Sequence, residues 1–207
     1  MQRAIRRANI PIAWSQGFNP HPVMAFASAL SVGVTSEAEY MDITLSQPME
    51  PSELMDRLNV ALPKGITAKQ AIPVEDKAPS LMSLIERADY RIIADDPEFD
   101  WRPGIDVFQE QQEIWVEKKT KKRISSINLK EGVFEVGIGE SNNELYLSLK
   151  SGSSGNIKPE LVINQLLTLS DSLETEESAA IPMLIHRIGL YFRQNGKWVT
   201  PLALNRN

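Results

Sequence analysis

The sequence predicts an α+β protein built from two tandem ferredoxin-like halves, the first of which lacks its opening strand. Two observations lead to this prediction. Apolar residues recur at helical spacing in some segments and alternate at strand spacing in others. Each half also contains a strand, then a helix that starts at a proline with a glutamate close behind, and then a final strand. The two helix starts are Pro51 with Glu53 and Pro159 with Glu160.

The first half is predicted to have the order helix, strand, strand, helix, strand. The first helix covers residues 2–9, and residues 21–34 and 42–45 form two paired strands. The second helix begins at Pro51, where proline is tolerated because the first helical turn needs no backbone donor. Residues 66–74 return as the last strand. This order is that of a ferredoxin-like unit without its first strand.

The second half is predicted to contain more strands than the first. Residues 90–94 form a short strand, residues 105–112 form a helix, and a second helix enters at Pro159. Four alternating segments read as a β-meander, and a closing strand follows the second helix. These five strands cover residues 114–119, 124–129, 133–138, 145–149 and 183–192.

The boundary between the halves is predicted near residues 74–79, where residues 75–79 are polar and include a proline. Residues 1–78 form one domain and residues 79–207 form the other. The chain has 207 residues, of which 42% are hydrophobic and 24% are charged, as in ordinary globular proteins. No apolar stretch is long enough to span a membrane or to act as a signal peptide. We therefore expect a cytoplasmic protein without a membrane partner.

The absence of cysteine restricts the chemistry. Without cysteine the chain cannot form a disulfide, a thiolate nucleophile, a zinc–thiolate site or a cysteine-ligated iron–sulfur cluster. His21 and His186 are the only histidines and lie far apart in the sequence. A transition-metal site would need several carboxylates in addition. We expect neither a metal nor another cofactor.

The charge of the chain is segregated. The formal net charge is −5, yet residues 1–30 contain three arginines and no acidic residue, and residues 118–130 form a second basic cluster. The low pI of about 5.2 argues against a general nucleic-acid binder. Two local basic clusters still fit a directed contact with an anion.

A rigid loop is predicted directly after the first helix. Pro20 and Pro22 fix their own φ angles and hold the residues before them, Asn19 and His21, in extended conformations. Gly17 permits a backbone conformation that side chains disfavour. The loop therefore presents its polar side chains in a fixed arrangement beside the first helix.

Eleven residues are predicted to bind a ligand. The arginines at positions i, i+3 and i+4 share one helix face and suit phosphate or carboxylate, although a plain solvated face is an equally good reading. The basic hairpin tip suits a nucleic-acid backbone, or it protects a sheet edge from pairing. The candidates are Arg3, Arg6, Arg7, Trp14, Ser15, Asn19, His21, Lys119, Lys121, Lys122 and Arg123.

Three segments carry a resemblance to a known family. Residues 6–22 (RRANIPIAWSQGFNPHP), 31–40 (SVGVTSEAEY) and 61–66 (ALPKGI) resemble the radical SAM-linked protein family. This resemblance is close as far as about Pro79 and looser beyond. It implies an uncharacterised bacterial domain that is fused behind a radical SAM enzyme or encoded beside one. Because the chain has no cysteine, the iron–sulfur cluster of such a system would lie on another chain.

The start of the chain differs from this family, which usually opens with a basic strand before the arginine helix. The sequence here begins inside that helix. We expect one of two arrangements: a partner chain supplies the missing strand, or the natural protein is longer at its amino end.

The function expected from the sequence is that of a non-enzymatic accessory protein of a radical SAM enzyme. It would bind an anionic substrate such as structured RNA. On this interpretation no residue is catalytic. One alternative is a metal-independent RNA-processing enzyme with His21 as its acid/base. Another is an interaction module whose sole ligand is the partner enzyme.

Overall fold

The computed structural model describes residues 1–75, 77–119, 124–170 and 181–205, which form an α+β fold. The helices are α1 (Gln2–Arg7), α2 (Pro51–Ala61), α3 (Leu81–Leu84), α4 (Arg102–Glu110) and α5 (Pro159–Leu169). The strands are β1 (Met24–Phe26), β2 (Val34–Ser36), β3 (Met41–Ile43), β4 (Arg87–Ala94), β5 (Trp115–Lys119), β6 (Ile124–Asn128), β7 (Val133–Ile138), β8 (Glu144–Lys150), β9 (Met183–Gln194) and β10 (Lys197–Val199).

The main sheet has the strand order β10-β9-β4-β8-β7, and β4 is its central strand. β4 pairs antiparallel with β8 and β9, while β2 pairs parallel with β9 over three residues. Ala88, Tyr90, Ile92 and Ala94 alternate along β4 and are all buried. Because side chains alternate along a strand, these four residues lie on one face of β4, and that face packs against a core covered by helices.

Helices α4 and α5 pack together and supply the main core with large apolar side chains. Trp101, Phe108 and Leu166 are almost fully buried in the same cluster as the buried residues of β4 and β8. The indole Nε1 of Trp101 donates to the backbone oxygen of Asn143 at 3.0 Å, so its polar atom remains satisfied in the core. Both helices begin at or beside a proline, as the sequence predicts for α5.

A second, smaller core lies in the first part of the chain. Helices α1 and α2 pack against the β1–β3 pair, and the buried residues include Ile5, Ile12, Leu54 and Leu58. Isolated bridges join Ile12 to Leu45 and Trp14 to Pro22, which extends the small sheet toward the predicted loop. The two cores are joined by β2, which belongs to the main sheet although it lies within residues 1–78. The predicted domain boundary stays a prediction.

The α+β class is confirmed, whereas the finer arrangement of two tandem ferredoxin-like halves is not confirmed by this topology. The predicted meander is divided, because β5 and β6 form a sheet of their own while β7 and β8 join the main sheet. Residues 66–74 contain no strand. They lack a strand neighbour, and an extended segment becomes a strand only through backbone pairing.

The close contact between α4 and α5 generates a stability prediction. A Cβ atom at Gly104 would lie 2.3 Å from the backbone oxygen of Leu166, so Gly104→Ala must push the two helices apart. We expect the free energy of unfolding to fall by about 1–3 kcal/mol, as for overpacked cores. Urea unfolding measures the change. Gly137→Ala is the matched control, because no atom lies within 4 Å of the added methyl group. Equal stability of the two variants would contradict the prediction.

Candidate functional site

Ser15 and His21 form a hydrogen-bonded clip that closes the predicted loop. The Ser15 Oγ lies 2.9 Å from the His21 Nδ1 and accepts the His21 backbone N–H at 3.0 Å. The Ser15 N–H donates to the His21 backbone oxygen at 2.8 Å. The backbone oxygen of Asn19 lies 3.4 Å from the same Nδ1. These contacts bring the polar residues of the loop together, as its proline spacing predicts.

The clip fixes the imidazole ring by one nitrogen and leaves the other nitrogen to an incoming group. When Ser15 donates to Nδ1, the neutral ring carries its proton on Nε2 and acts as a donor there. When Nδ1 carries the proton and donates to Ser15 or to the Asn19 carbonyl, Nε2 becomes an acceptor. His21 is exposed in the structure, so either form is open to a ligand.

The loop also carries exposed aromatic side chains. Phe18 is fully exposed at the tip next to Gly17, whose φ is +128°, and Trp14 is 46% exposed. Exposing a phenylalanine costs about 2 kcal/mol of hydrophobic free energy relative to burying it. Phe18 and Trp14 are therefore available for contact with a partner.

Helix α1 presents the three predicted arginines on its outer face. Ala4, Ile5 and Ala8 are buried on the inner face, and Arg3, Arg6 and Arg7 are exposed opposite them. None of the three forms an ion pair with a described residue. Arg7 donates to the backbone oxygen of Ala61 at 2.8 Å, which anchors it beside α2. We call these three side chains the basic face.

Two surface hollows border the basic face. Arg3 lines a hollow of about 490 Å³ with Met1, Gln2, Met24 and Phe26. Arg7 lines a second hollow, of about 560 Å³, between α1 and α2. The first hollow pairs a guanidinium with apolar side chains, and this combination suits a ligand that has both an anionic and a flat apolar part.

The register of the small sheet separates the clip from the basic face. Trp14 is opposite Pro22, and alternation along the two segments places both on the same face as Met24, which packs against the core of α1 and α2. The side chains of Ser15 and His21, each one position along its segment from Trp14 and Pro22, lie on the other face. The structure therefore brings Ser15, Asn19 and His21 together, but places the three arginines on the other side of the strands, with Trp14.

The predicted basic hairpin is only partly described. Lys119 ends β5, and β5 pairs with β6 over five residues, so a hairpin is present as predicted. The remaining predicted tip residues, Lys121, Lys122 and Arg123, lie outside the described residues. Their role as a ligand contact stays a prediction.

Sequence reasoning missed an ion-pair cluster that joins β9 to the first part of the chain. Arg187 is only 3% exposed; its Nη1 donates to Glu39 Oε1 at 2.9 Å and its Nη2 to the backbone oxygen of Ala29 at 2.7 Å. Ser36 donates to the same Glu39 oxygen at 2.6 Å. A single arginine within the apolar run of residues 184–192 was the signal that could have identified this cluster.

A second missed network lies on the opposite face of the main sheet. Arg87 donates to both oxygens of Asp89, at 2.8 and 3.0 Å, and the Tyr146 hydroxyl donates to Asp89 at 2.9 Å. The guanidinium carbon of Arg87 lies 5.4 Å from the ring centre of Tyr191 and 5.6 Å from that of Trp198. Hydrogen bonding to Asp89 raises the pKa of Arg87 above its ordinary value. This closed network has a structural role.

Within the described ranges, no group of three or more His, Cys, Asp or Glu side chains could hold a metal ion. Each α-helix of the described chain is too short or too polar to cross a membrane.

Comparison with known proteins places the chain in a family. Residues 1–159, which include the clip and the basic face, match the family described as "Uncharacterized protein conserved in bacteria (DUF2344)". The chain belongs to the DUF2344 family. Neither the curated proteins nor the solved structures contain a match. Membership in the DUF2344 family therefore shows relatedness without assigning a reaction or a ligand.

The tyrosines of the structure generate a prediction about alkaline pH. Burial is the largest cause that raises the pKa of Tyr146 above its ordinary value near 10, and the hydrogen bond to Asp89 is the second. Burial likewise raises the pKa of Tyr40, Tyr90 and Tyr191. As the pH rises, these tyrosines ionise in the unfolded chain before they ionise in the folded protein. The contribution of the neutral tyrosines to the stability of the fold is therefore complete below about pH 10 and is lost progressively above it.

Tyr146→Phe tests this pH dependence by removing one of the ionisable groups. We expect the free energy of unfolding of this variant to fall less steeply between about pH 10 and 11 than that of the wild type. Urea unfolding at several pH values measures the slope. Identical slopes for the two proteins would contradict the assignment.

Proposed function

We propose that this protein is a cytoplasmic, non-enzymatic accessory protein that binds an anionic substrate, structured RNA in particular, for a radical SAM enzyme. The observation that carries the proposal is the basic face of α1. Three properties of that face support it: none of its arginines forms an ion pair with a described residue, its charges are regularly spaced, and an aromatic side chain lies on the same side of the small sheet.

The basic face lacks the partners that neutralise other arginines. Arg57, Arg87, Arg102 and Arg187 each pair with a carboxylate, and residues 1–36 contain no acidic side chain. Three like charges within two helical turns repel one another unless an anion lies between them. An external anion would therefore be attracted to this surface.

The spacing of the basic face suits an extended polyanion. Arg3 and Arg7 are one turn apart, about 6 Å along the axis of α1. Guanidinium groups bind phosphate oxygens in a bidentate manner, and the strength of this contact does not depend on the base sequence of the nucleic acid. Trp14 lies on the same side of the sheet and offers a ring on which an unpaired base can stack. Arginines beside an exposed aromatic ring favour RNA over a small carboxylate.

The link to a radical SAM enzyme rests on the resemblance of residues 6–22, 31–40 and 61–66 to the radical SAM-linked protein family. Because the chain has no cysteine, the partner enzyme would hold the iron–sulfur cluster. The ferredoxin-like arrangement of residues 1–78 and 79–207 belongs to the same proposal. It is supported by α1, α2 and the β1–β3 pair, which follow the predicted order.

Neutralising the basic face tests the proposal. We expect Arg3→Gln, Arg6→Gln and Arg7→Gln together to weaken binding of a fluorescent stem–loop RNA and to reduce the slope of log Kd against log salt by about 2–3. The control combines Lys64→Gln, Arg91→Gln and Lys197→Gln, three exposed cations with the same total charge. Fluorescence anisotropy measures both. The proposal fails if the two triple variants bind RNA alike, or if the wild type does not bind.

A second candidate function follows from the clip. With Nδ1 protonated and held by Ser15 or Asn19, the His21 Nε2 can take the proton of a ribose 2′-hydroxyl as its oxygen attacks the adjacent phosphorus. The 5′-oxygen leaves and takes a proton from water, a 2′,3′-cyclic phosphate remains, and His21 releases the proton that it accepted to solvent. The protein would then be a metal-independent RNA-processing enzyme. A third candidate, an interaction module that binds only its partner enzyme, is favoured by the fully exposed Phe18.

His21→Gln separates binding from cleavage. Glutamine keeps hydrogen-bonding capacity but cannot exchange a proton near neutral pH. If the protein only binds, neither the wild type nor the variant cleaves RNA in the presence of a chelator. If it is an enzyme, the wild type cleaves and His21→Gln loses turnover while Kd changes less than about threefold. His186→Gln is the control, since it alters the other histidine. Cleavage gels and anisotropy provide the two measurements.

A further inference from the structure

A threonine hydroxyl contacts a histidine ring on the face of the main sheet that points away from α4 and α5. Thr35 of β2 and His186 of β9 are partners in the parallel ladder, so their side chains share that face. The Thr35 Oγ1 lies 2.8 Å from the His186 Nδ1 and, at a longer distance of 3.4 Å, from the Ile185 backbone oxygen. Thr35 is exposed, whereas only 20% of the His186 side chain is exposed. The hydroxyl is therefore accessible from solvent, while most of the ring that contacts it is covered.

A carboxylate lies beside the other nitrogen of this ring. The Glu37 N–H donates to the Arg187 backbone oxygen at 3.1 Å, so the chain continues along β9 beyond the end of β2. Residues two positions apart in an extended segment share a face, which places Glu37 on the same face as Thr35. The Glu37 Oε2 lies 3.8 Å from the His186 Nε2. Hydroxyl, imidazole and carboxylate therefore form a row across β2 and β9.

This row has the order of groups that activates a hydroxyl as a nucleophile. When Nδ1 carries no proton, it accepts the hydroxyl hydrogen of Thr35, and the Nε2–H faces the carboxylate of Glu37. A base in contact with the hydroxyl and a third group that orients the base are the two requirements of such a nucleophile. The 3.8 Å separation is longer than a hydrogen bond, and the Glu37 side chain, which is 56% exposed, has room to close it as the ring gains a proton.

A cation lies next to this row. Arg91 of β4 is directly opposite His186 in the antiparallel ladder, which places their Cβ atoms about 5 Å apart on the same face. Arg91 is exposed and forms no ion pair with a described residue. A guanidinium at this position can donate to an oxygen that becomes negative when the hydroxyl attacks a carbonyl group. Three neighbouring strands thus supply a nucleophile, a base and a cation to one surface.

A structural role alone explains this arrangement less well. The core side of the same strands is already fixed by Arg187, which bonds Glu39 and the Ala29 backbone oxygen. A further contact between exposed side chains adds little to stability. In the other hydroxyl–histidine contact of the described chain, between Ser15 and His21, no carboxylate of a described residue lies within ion-pair distance of the ring. The carboxylate is what distinguishes the site on β2.

We propose that Thr35 is an acyl-acceptor site that takes the acyl group of an activated carboxylic ester. The hydroxyl oxygen attacks the carbonyl carbon, its proton passes to the His186 Nδ1, and the carbonyl oxygen gains a negative charge beside Arg91. Glu37 stabilises the imidazolium through Nε2. The carbonyl bond then re-forms, the alkoxide leaves with its electron pair and takes the proton from His186, and Thr35 remains as an ester. The inference is independent of the proposed function, because it uses neither the basic face nor RNA and requires no turnover.

Acylation by p-nitrophenyl acetate tests the proposal on the 207-residue chain. We expect one acetyl ester on Thr35, located by peptide mapping, which hydroxylamine removes while it leaves acetylated amines intact. Release of p-nitrophenol should be at least about tenfold faster than with Thr35→Val, which keeps the shape of the side chain and lacks the hydroxyl. Thr44→Val is the matched control, since Thr44 is exposed and is not bonded to a histidine of the described chain. Acetylation confined to lysines or the amino terminus, or equal rates for the wild type and Thr35→Val, would overturn the proposal.

Substitutions at two further positions separate activation from folding. His186→Gln retains a hydrogen-bonding group but removes the base, so acetylation of Thr35 should slow by at least about tenfold. Glu37→Gln should slow it as well, and Glu37→Asp should retain most of the rate, because only a carboxylate stabilises the imidazolium. Circular dichroism checks that each variant is folded; if Thr35→Val does not fold, the mapped Thr35 ester and His186→Gln decide the question. Equal acetylation of Thr35 in the wild type and His186→Gln would leave the contact a purely structural role and would contradict the proposal.

Discussion

The buried guanidinium of Arg187 is the constraint that ties the two parts of this structure together. It lies beside Tyr90 on the core side of the main sheet, where an unpaired charge would cost several kcal/mol. Glu39 and the Ala29 carbonyl accept from its two terminal nitrogens, while its Nε has no partner among the described residues, and both acceptors belong to the first part of the chain. Residues 29–39 must therefore lie along β9. The parallel pairing of β2 follows from this requirement, and the small core is attached to the large one through it.

The candidate site is divided by the same sheet geometry. A strand turns alternate side chains to opposite faces, so Trp14 and Ser15 cannot serve one surface although they are neighbours in sequence. The clip of Ser15 and His21 lies on one side, and the basic face of α1 lies on the other with Trp14. The two proposed activities, anion binding and acid/base chemistry, would therefore use separate surfaces. A ligand that uses one surface need not contact the other.

The main sheet shows how side chains decide the shape of a fold. β7 and β10 are at opposite ends of the strand order, about 19 Å apart in a flat sheet. Yet the ring centres of Phe134 on β7 and Trp198 on β10 are 5.5 Å apart. The sheet must curl for these rings to meet, and the curl encloses the Arg87–Asp89 pair beneath Trp198. Charge pairing and aromatic packing thus support each other on this face.

The sequence by itself determined the elements and several side chains of the candidate site. Prolines at helix starts and alternating apolar residues identify α2, α5, β8 and β9, because helix and strand periods are local properties. The proline-fixed loop is likewise local, and the structure brings Ser15, Asn19 and His21 together as that loop predicts. Tertiary structure decided what depends on partners distant in sequence. Residues 66–74 read as a strand but lack a neighbour, and Arg187 is buried against Glu39, which is 148 positions away in the sequence. Pairing and burial arise from contacts between remote segments, and local periodicity carries no information about them.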